Sequence, residues 1–305
     1  MMWLRRISLF ILVNFLVMMT IGIVMRLLGL DNFFAERGID YGSLMVFCLV
    51  WGFGGAFISL MVSRWAAKTF NGVQVINPEN PGSQDERWLL ETVHRLARTA
   101  GLETMPEVGF YNSPDPNAFA TGPGRDSALV AVSSGLFQMM DKDEIEGVLG
   151  HELTHVVNGD MVTMALLQGV INSFVIFLSY AVTMAISRGN NNRREGFSIG
   201  DYFIRMALQM LFGILGMIPL MAFSRWREFR ADAGSARLSG KTKMINALRA
   251  LQRAYERPAQ VAPEPATVAA FKISSRDGFS LFASHPPLEK RIERLQSASL
   301  VASED

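Results

Sequence analysis

Cysteine is almost absent: Cys48 stands alone among 305 residues. No intramolecular disulfide can form and no thiolate metal site can be built, so any metal must be held by histidine and carboxylate. Charge of either sign is also in short supply, with 19% charged residues and a net charge of +1. Nothing resembles a basic stripe with interleaved aromatics, which argues against nucleic acid as a partner. What the chain has instead is apolar residues, 50% of the total, gathered in long blocks. That distribution marks a membrane protein.

Four blocks stand out, over residues 7–25, 41–63, 161–187 and 203–223. The first two are long enough to cross roughly 30 Å of hydrocarbon at about 1.5 Å per residue. Arg5 and Arg6 precede the first, but its run is too long for a signal peptide and no small-x-small cleavage site follows, so it reads as an uncleaved anchor. The last two carry more polar residues (Gln168, Asn172, Arg205, Gln209), and a pair of buried or interfacial helices in a soluble fold stays open as their alternative. Arg5, Arg6, Arg64 and Lys68 fall on one side of the first hairpin, which places the following polar stretch in the cytoplasm. Arg188, Arg193 and Arg194 in the second hairpin's loop run against that rule.

The expected fold is a mainly α membrane protein with about four transmembrane helices and, from the His151-Glu152-Leu153-Thr154-His155 run, a cytoplasmic zincin-like α+β catalytic domain holding a small sheet. Its parts are a hairpin over residues 1–69, a first catalytic half over 70–160, a second hairpin over 161–223 and a second catalytic half over 224–305. Within the polar parts, residues 84–100 have helical spacing and stop at Gly101. Residues 107–111 and 127–132 are short β-rich runs separated by Asn, Pro and Gly turns. Asp141 and Glu144 form a capping box that opens a helix ending at Asn158-Gly159, where Asp160 caps the next element. Helices are expected over 224–237, over 243–257 and through Leu295, and residues 258–269 read as a Pro/Ala linker.

His151-Glu152-Leu153-Thr154-His155 lies on the capped helix. Four residues at 3.6 per turn return the two imidazoles to one face, where both can ligate one Zn²⁺. Glu152 is then placed to take a proton from the attacking water. Acidic residues open this helix, and His155 precedes residue 161 by about 9 Å of helix, so the metal is expected just outside the bilayer. A catalytic zinc needs a third protein ligand and an open position. Glu228 is the candidate, and Asp232, one turn later, can accept an N–H from a ligand imidazole. Spacing alone divides evenly between that role and an ordinary charged face shared with Arg225, Arg227 and Arg230. Position favours the ligand: if blocks three and four form a hairpin, His155 and Glu228 emerge at one surface. His94 reads as a helix-surface residue. His285, beside two prolines at a helix start, can donate to an oxyanion or be merely structural.

Taken together, HELTH, Ser224-Arg-x-x-Glu228-x-x-Ala-Asp232, Ser284-His-Pro-Pro-Leu-Glu-Lys-Arg291, Asn117-Ala-Phe-Ala-Thr-Gly122 and Val157-Asn-Gly-Asp-Met161 resemble the HtpX heat-shock membrane zinc proteases. These are bacterial relatives of the CAAX prenyl endopeptidases. The resemblance covers nearly the whole chain. It implies one zinc held by His151, His155 and Glu228, with Glu152 as general base and Asp232 orienting a ligand histidine. It also implies contact of His285 and Asn117 with the substrate carbonyl or oxyanion, and support from Arg291. By the same resemblance the protein is a multi-pass zinc metalloendopeptidase of the bacterial inner membrane, acting in stress response and quality control. It would cleave unfolded or misfolded membrane proteins on the cytoplasmic side and cut itself. An exposed strand edge near residues 117–132 is expected to hold extended substrate, with Ala131 on that edge. Two other readings stay open: a prenyl-protein endopeptidase, and a non-proteolytic zinc-binding scaffold or sensor, which would have no use for Glu152.

Overall fold

The computed structural model describes residues 41–187, 199–256 and 283–298. The apolar block at residues 7–25, the loop residues 188–198 and the Pro/Ala linker lie outside these. The chain divides into two compact units: residues 1–59 with 163–220, and residues 60–162 with 221–305.

The first unit is helical. Its described parts come from α1 (Tyr41–Phe70), α5 (Asp160–Ser187) and α6 (Ile199–Ser235). Among the described residues, three helices are long and apolar enough to cross a membrane, and these supply them. The side chains are arranged for lipid. Val50, Trp51, Ile58 and Met210 point outward with no polar cover, Met210 being 72% exposed. Polar groups turn inward and are satisfied locally: Ser173 donates to Gly169 O at 2.8 Å, Ser179 to Val175 O at 2.6 Å and Thr183 to Ser179 O at 2.7 Å. Where α1 and α5 touch, a Cβ at Gly52 would lie 2.2 Å from Ser173 Oγ, so that contact requires glycine. Asn172 Nδ2 donates to the Gly52 carbonyl at 3.3 Å.

The second unit is built on a four-stranded mixed sheet. Its strands are β1 (Gln74–Val75), β2 (Glu107–Tyr111), β3 (Ala118–Thr121) and β4 (Leu129–Ser133), in the order β1-β2-β4-β3. The β2–β4 pair is parallel and the other two are antiparallel. Around it lie α2 (Gln84–Thr99), α3 (Ser134–Met139), α4 (Lys142–Asn158), α7 (Lys241–Glu256) and α8 (Leu288–Ser297). The alternation of the strands separates two faces. Val108, Val130 and Val132 join the main core with Leu89, Leu96, Leu149 and Leu153. Tyr111, Leu129, Ala131 and Phe119 pack on the other face with Ala67, from the last turns of α1. Arg64 and Lys68 pin those turns to Glu107 at 2.5 and 2.8 Å.

Two sequence expectations need correction. β3 occupies a stretch that reads as turn between the two β-rich runs, because its four residues have little strand pattern of their own and become a strand by pairing with β4. Ala131 is not on an edge: β4 is interior, fully buried and paired on both sides, and the edges of the described sheet are β1 and, on the side of β4, β3. The 161–187 and 203–223 blocks are helical as expected, and the second continues without interruption to Ser235.

Candidate metal centre

Local chemistry fixes α4. Asp141 accepts from the Glu144 N–H at 2.8 Å while Glu144 accepts from the Asp141 N–H at 3.1 Å, closing the capping box. The helix stops at Gly159, which adopts φ +69°, a left-handed conformation that costs glycine little. The helix end of α6 then lies against α4 through small residues. A Cβ on Gly234 would meet Thr154 Cγ2 at 2.3 Å, and Ser235 Oγ donates to Gly147 O at 2.7 Å. This close approach carries Glu228 to the imidazoles.

His151, His155 and Glu228 each present a donor atom, all within 4.8 Å of one another, and all three residues are buried. His151 Nε2 lies 3.2 Å from His155 Nε2 and 3.2 Å from Glu228 Oε2, and His155 Nε2 lies 3.4 Å from Glu228 Oε1. Donors placed 2.0–2.1 Å from a tetrahedral ion sit about 3.3 Å apart, so the spacing fits Zn²⁺. The electrostatics agree. Two ring nitrogens face each other, and Glu228 Oε2 is buried without a well-formed hydrogen bond, a combination that a cation resolves.

Behind the donors stands a layer of carboxylates. His151 Nδ1 lies 3.0 Å from Asp232 Oδ1, and Arg291 holds Asp232 with two bonds, at 2.6 and 2.8 Å. His155 Nδ1 lies 2.6 Å from Asp160 Oδ2. Each imidazole is thereby set with Nε2 toward the donor cluster, an arrangement that would raise its basicity toward a bound metal. Burial opposes charge on His151, and the carboxylates of Asp232 and Glu228 outweigh it, raising its pKa to about 9. Burial likewise opposes the Glu228 charge, yet the close imidazoles of His151, His155 and His285 hold its pKa far below the usual carboxylate range. Arg227 Nη2 adds a contact to Glu228 Oε1 at 3.0 Å.

Glu152 faces β3, and its Oε2 accepts the Ala120 N–H at 3.0 Å. His285 stands at the mouth, 62% exposed, with Nδ1 2.9 Å from Glu228 Oε2. The cluster thus gathers His151, His155, Glu228, Asp232, Arg291 and His285, with Glu152 beside it. Asn117 is exposed at the start of β3; its backbone is tied to Ser133, and its side chain lies near Tyr111. Sequence reasoning read Asp160 only as a helix cap. The signal for its second role was its place five residues after His155, just across the turn at Gly159.

Residues 83–299 match Peptidase family M48. The chain is 50% identical over 298 residues to the protein named Protease HtpX homolog of Nitrosomonas europaea, covering 96% of this chain and 99% of that one. It is 49% identical over 300 residues to the Protease HtpX homolog of Bacillus subtilis, again covering 96% and 99%. The crystal structure of S. mikatae Ste24p shares the fold with a TM-score of 0.61 at 20% identity, covering 96% of this chain and 67% of that one.

Proposed function

The chain belongs to peptidase family M48 and is a membrane zinc metallopeptidase, and on that premise we propose that it cleaves unfolded or misfolded membrane proteins at the cytoplasmic face of the bacterial inner membrane and cuts itself as well. The observation that carries this reading is the spacing of the His151, His155 and Glu228 donors, with Glu152 beside them against an open strand edge.

Zinc held by those three residues supplies Lewis acidity, acidifying water and polarising a peptide carbonyl. The remaining chemistry belongs to side chains. Glu152 takes the proton of the attacking water and returns it to the leaving amine. His285 donates to the oxygen that gains charge in the transition state, and Asn117 assists at the carbonyl. Asp232 and Asp160 hold the ligand imidazoles, and Arg291 holds Asp232. Substrate lies extended along the free edge of β3, bound through main-chain hydrogen bonds that read little side-chain identity, which suits a quality-control enzyme. The same assignment gives the chain four functional parts, residues 1–69, 70–160, 161–223 and 224–305, with hairpins and catalytic halves alternating.

The test is proteolysis of an unfolded protein by the detergent-solubilised, zinc-loaded chain and by Glu152→Gln, with bound zinc and the chain's own integrity followed in both. Cleavage should fall about 10²- to 10⁴-fold in the variant at equal zinc content. Two proteins that hold zinc and cut nothing would leave a metal-binding scaffold as the better description.

A further inference from the structure

Beside the free edge of β3 lies a cleft of about 410 Å³, bounded by the last turns of α1 and by β3 itself. Ala66, Ala67 and Phe70 line one wall, and Phe119, Ala120 and Thr121 the other. The register of β3 fixes its relation to the chemistry. Asn117 O accepts from Ser133 N, and Phe119 and Thr121 lie opposite Ala131 and Leu129, so residues 117, 119 and 121 direct their backbone groups toward β4. Ala118 and Ala120 therefore turn theirs to the open edge, and the Ala120 N–H reaches Glu152. An extended peptide on that edge presents alternate side chains to opposite faces. One set faces α4 and the donor cluster, and the other faces the end of α1. Because Ala120 both lines the cleft and touches Glu152, the cleft begins beside the scissile bond.

We propose that this cleft is the subsite that receives one large apolar side chain of the substrate next to the bond that is cut. Ala66, Phe70 and Phe119 are then its specificity-determining residues; the inference rests on the peptidase reading above. The lining decides the class of side chain. None of the lining residues is charged, and Asn71 and Thr121 offer only neutral hydrogen-bonding groups, so a carboxylate or ammonium would lose hydration there with no counter-charge in return. The one serine among them, Ser63, already spends its hydroxyl hydrogen on Leu60 O at 2.7 Å. Phe70 is 76% exposed at the rim, touching Trp65 edge-on, an aromatic that burial within the fold does not account for. Selectivity at one position is compatible with main-chain binding elsewhere. The strand edge supplies affinity, and a single uncharged pocket walled by Ala66, Phe70 and Phe119 favours one residue in a sequence that is otherwise read loosely.

The experiment uses the zinc-loaded full chain in detergent and peptides that differ only by Leu, Phe, Asp or Gly at each of the two positions on either side of the cleaved bond. The wild type should favour Leu or Phe over Asp by about tenfold or more in kcat/KM at one position and not at its immediate neighbours. Ala66→Trp, which fills the cleft, should lower the Leu-to-Gly ratio at that position by about fivefold or more, mainly through KM. Phe70→Ala, at an exposed site that leaves folding intact, should lower the Phe-to-Gly ratio about threefold. An enzyme that cuts without a position-specific apolar preference, or ratios unchanged in both variants, overturns the subsite and leaves the peptidase reading standing. A zinc-loaded wild type that cuts neither peptides nor unfolded protein overturns both.

Discussion

One helix passes through two chemical regimes. The first part of α6, in the helical unit, turns Met206, Met210, Leu211 and Leu215 outward, and its surface is apolar. Its last turns, in the sheet-containing unit, carry Glu228 at 0% exposure and Asp232 at 2%. The same backbone hydrogen-bonding pattern therefore serves opposite solvents. In lipid, apolar side chains face out and polar groups must be satisfied inside. In the other unit, charge is tolerated inside because Glu228 and Asp232 lie against the imidazoles of His151 and His155 and the guanidinium groups of Arg227 and Arg291.

This contrast can be broken from either side. The largest effect should come from removing a charge where charge is buried. Asp232→Ala leaves Arg291 and His151 without their carboxylate, and unfolding of the metal-free protein in denaturant should show a loss of about 3–5 kcal/mol. Next comes adding a charge where lipid is expected: Met210→Asp should weaken membrane insertion by about 2.5–3.5 kcal/mol, read as increased carbonate extraction, while Met210→Leu stays near wild type. Asp160→Asn keeps the shape and alters the partner of His155. It should reduce zinc affinity about 10- to 100-fold by competition with a chelator. An unchanged affinity would make Asp160 a helix cap and nothing more.

The most gradual effect is that of pH. The folded-state pKa of His151 is raised from 6.5 to about 9, so its contribution to the metal-free fold is complete below the unfolded value and is lost as pH rises through the folded one. Zinc requires the neutral imidazole. Between these two values binding must release a proton, and apparent zinc affinity should rise about tenfold per pH unit. Stability of the metal-free chain and affinity for zinc are thus expected to slope in opposite directions over the same window. Calorimetric proton release close to zero there would contradict the arrangement around His151.

Local features were legible in the sequence because their causes are local. The capping box at Asp141 and Glu144, the stop at Gly159, and the shared face of His151 and His155 all follow from helix geometry within a few residues. Long apolar runs announced α1, α5 and α6 for the same reason. Glu228 was harder: spacing alone could not separate a ligand from a charged face, because the distance that matters runs to a helix some seventy residues earlier. An exposed strand edge near residues 117–132 was expected, but β3 could not be told apart from the turns around it, since its strand character comes from its partner.

By itself, then, the sequence determined which residue types were available for chemistry: two imidazoles four residues apart, a carboxylate between them, no thiols, and apolar blocks of membrane length. Only the tertiary structure put Glu228 within reach of both imidazoles, showed which strand is an edge, and placed Asp160 as well as Asp232 against a ring nitrogen of the pair. The physical reason is range. Capping and helical periodicity act over one or two turns of chain, whereas a metal ligand set is a matter of ångströms in space, set here by small residues that let α4 and α6 approach closely.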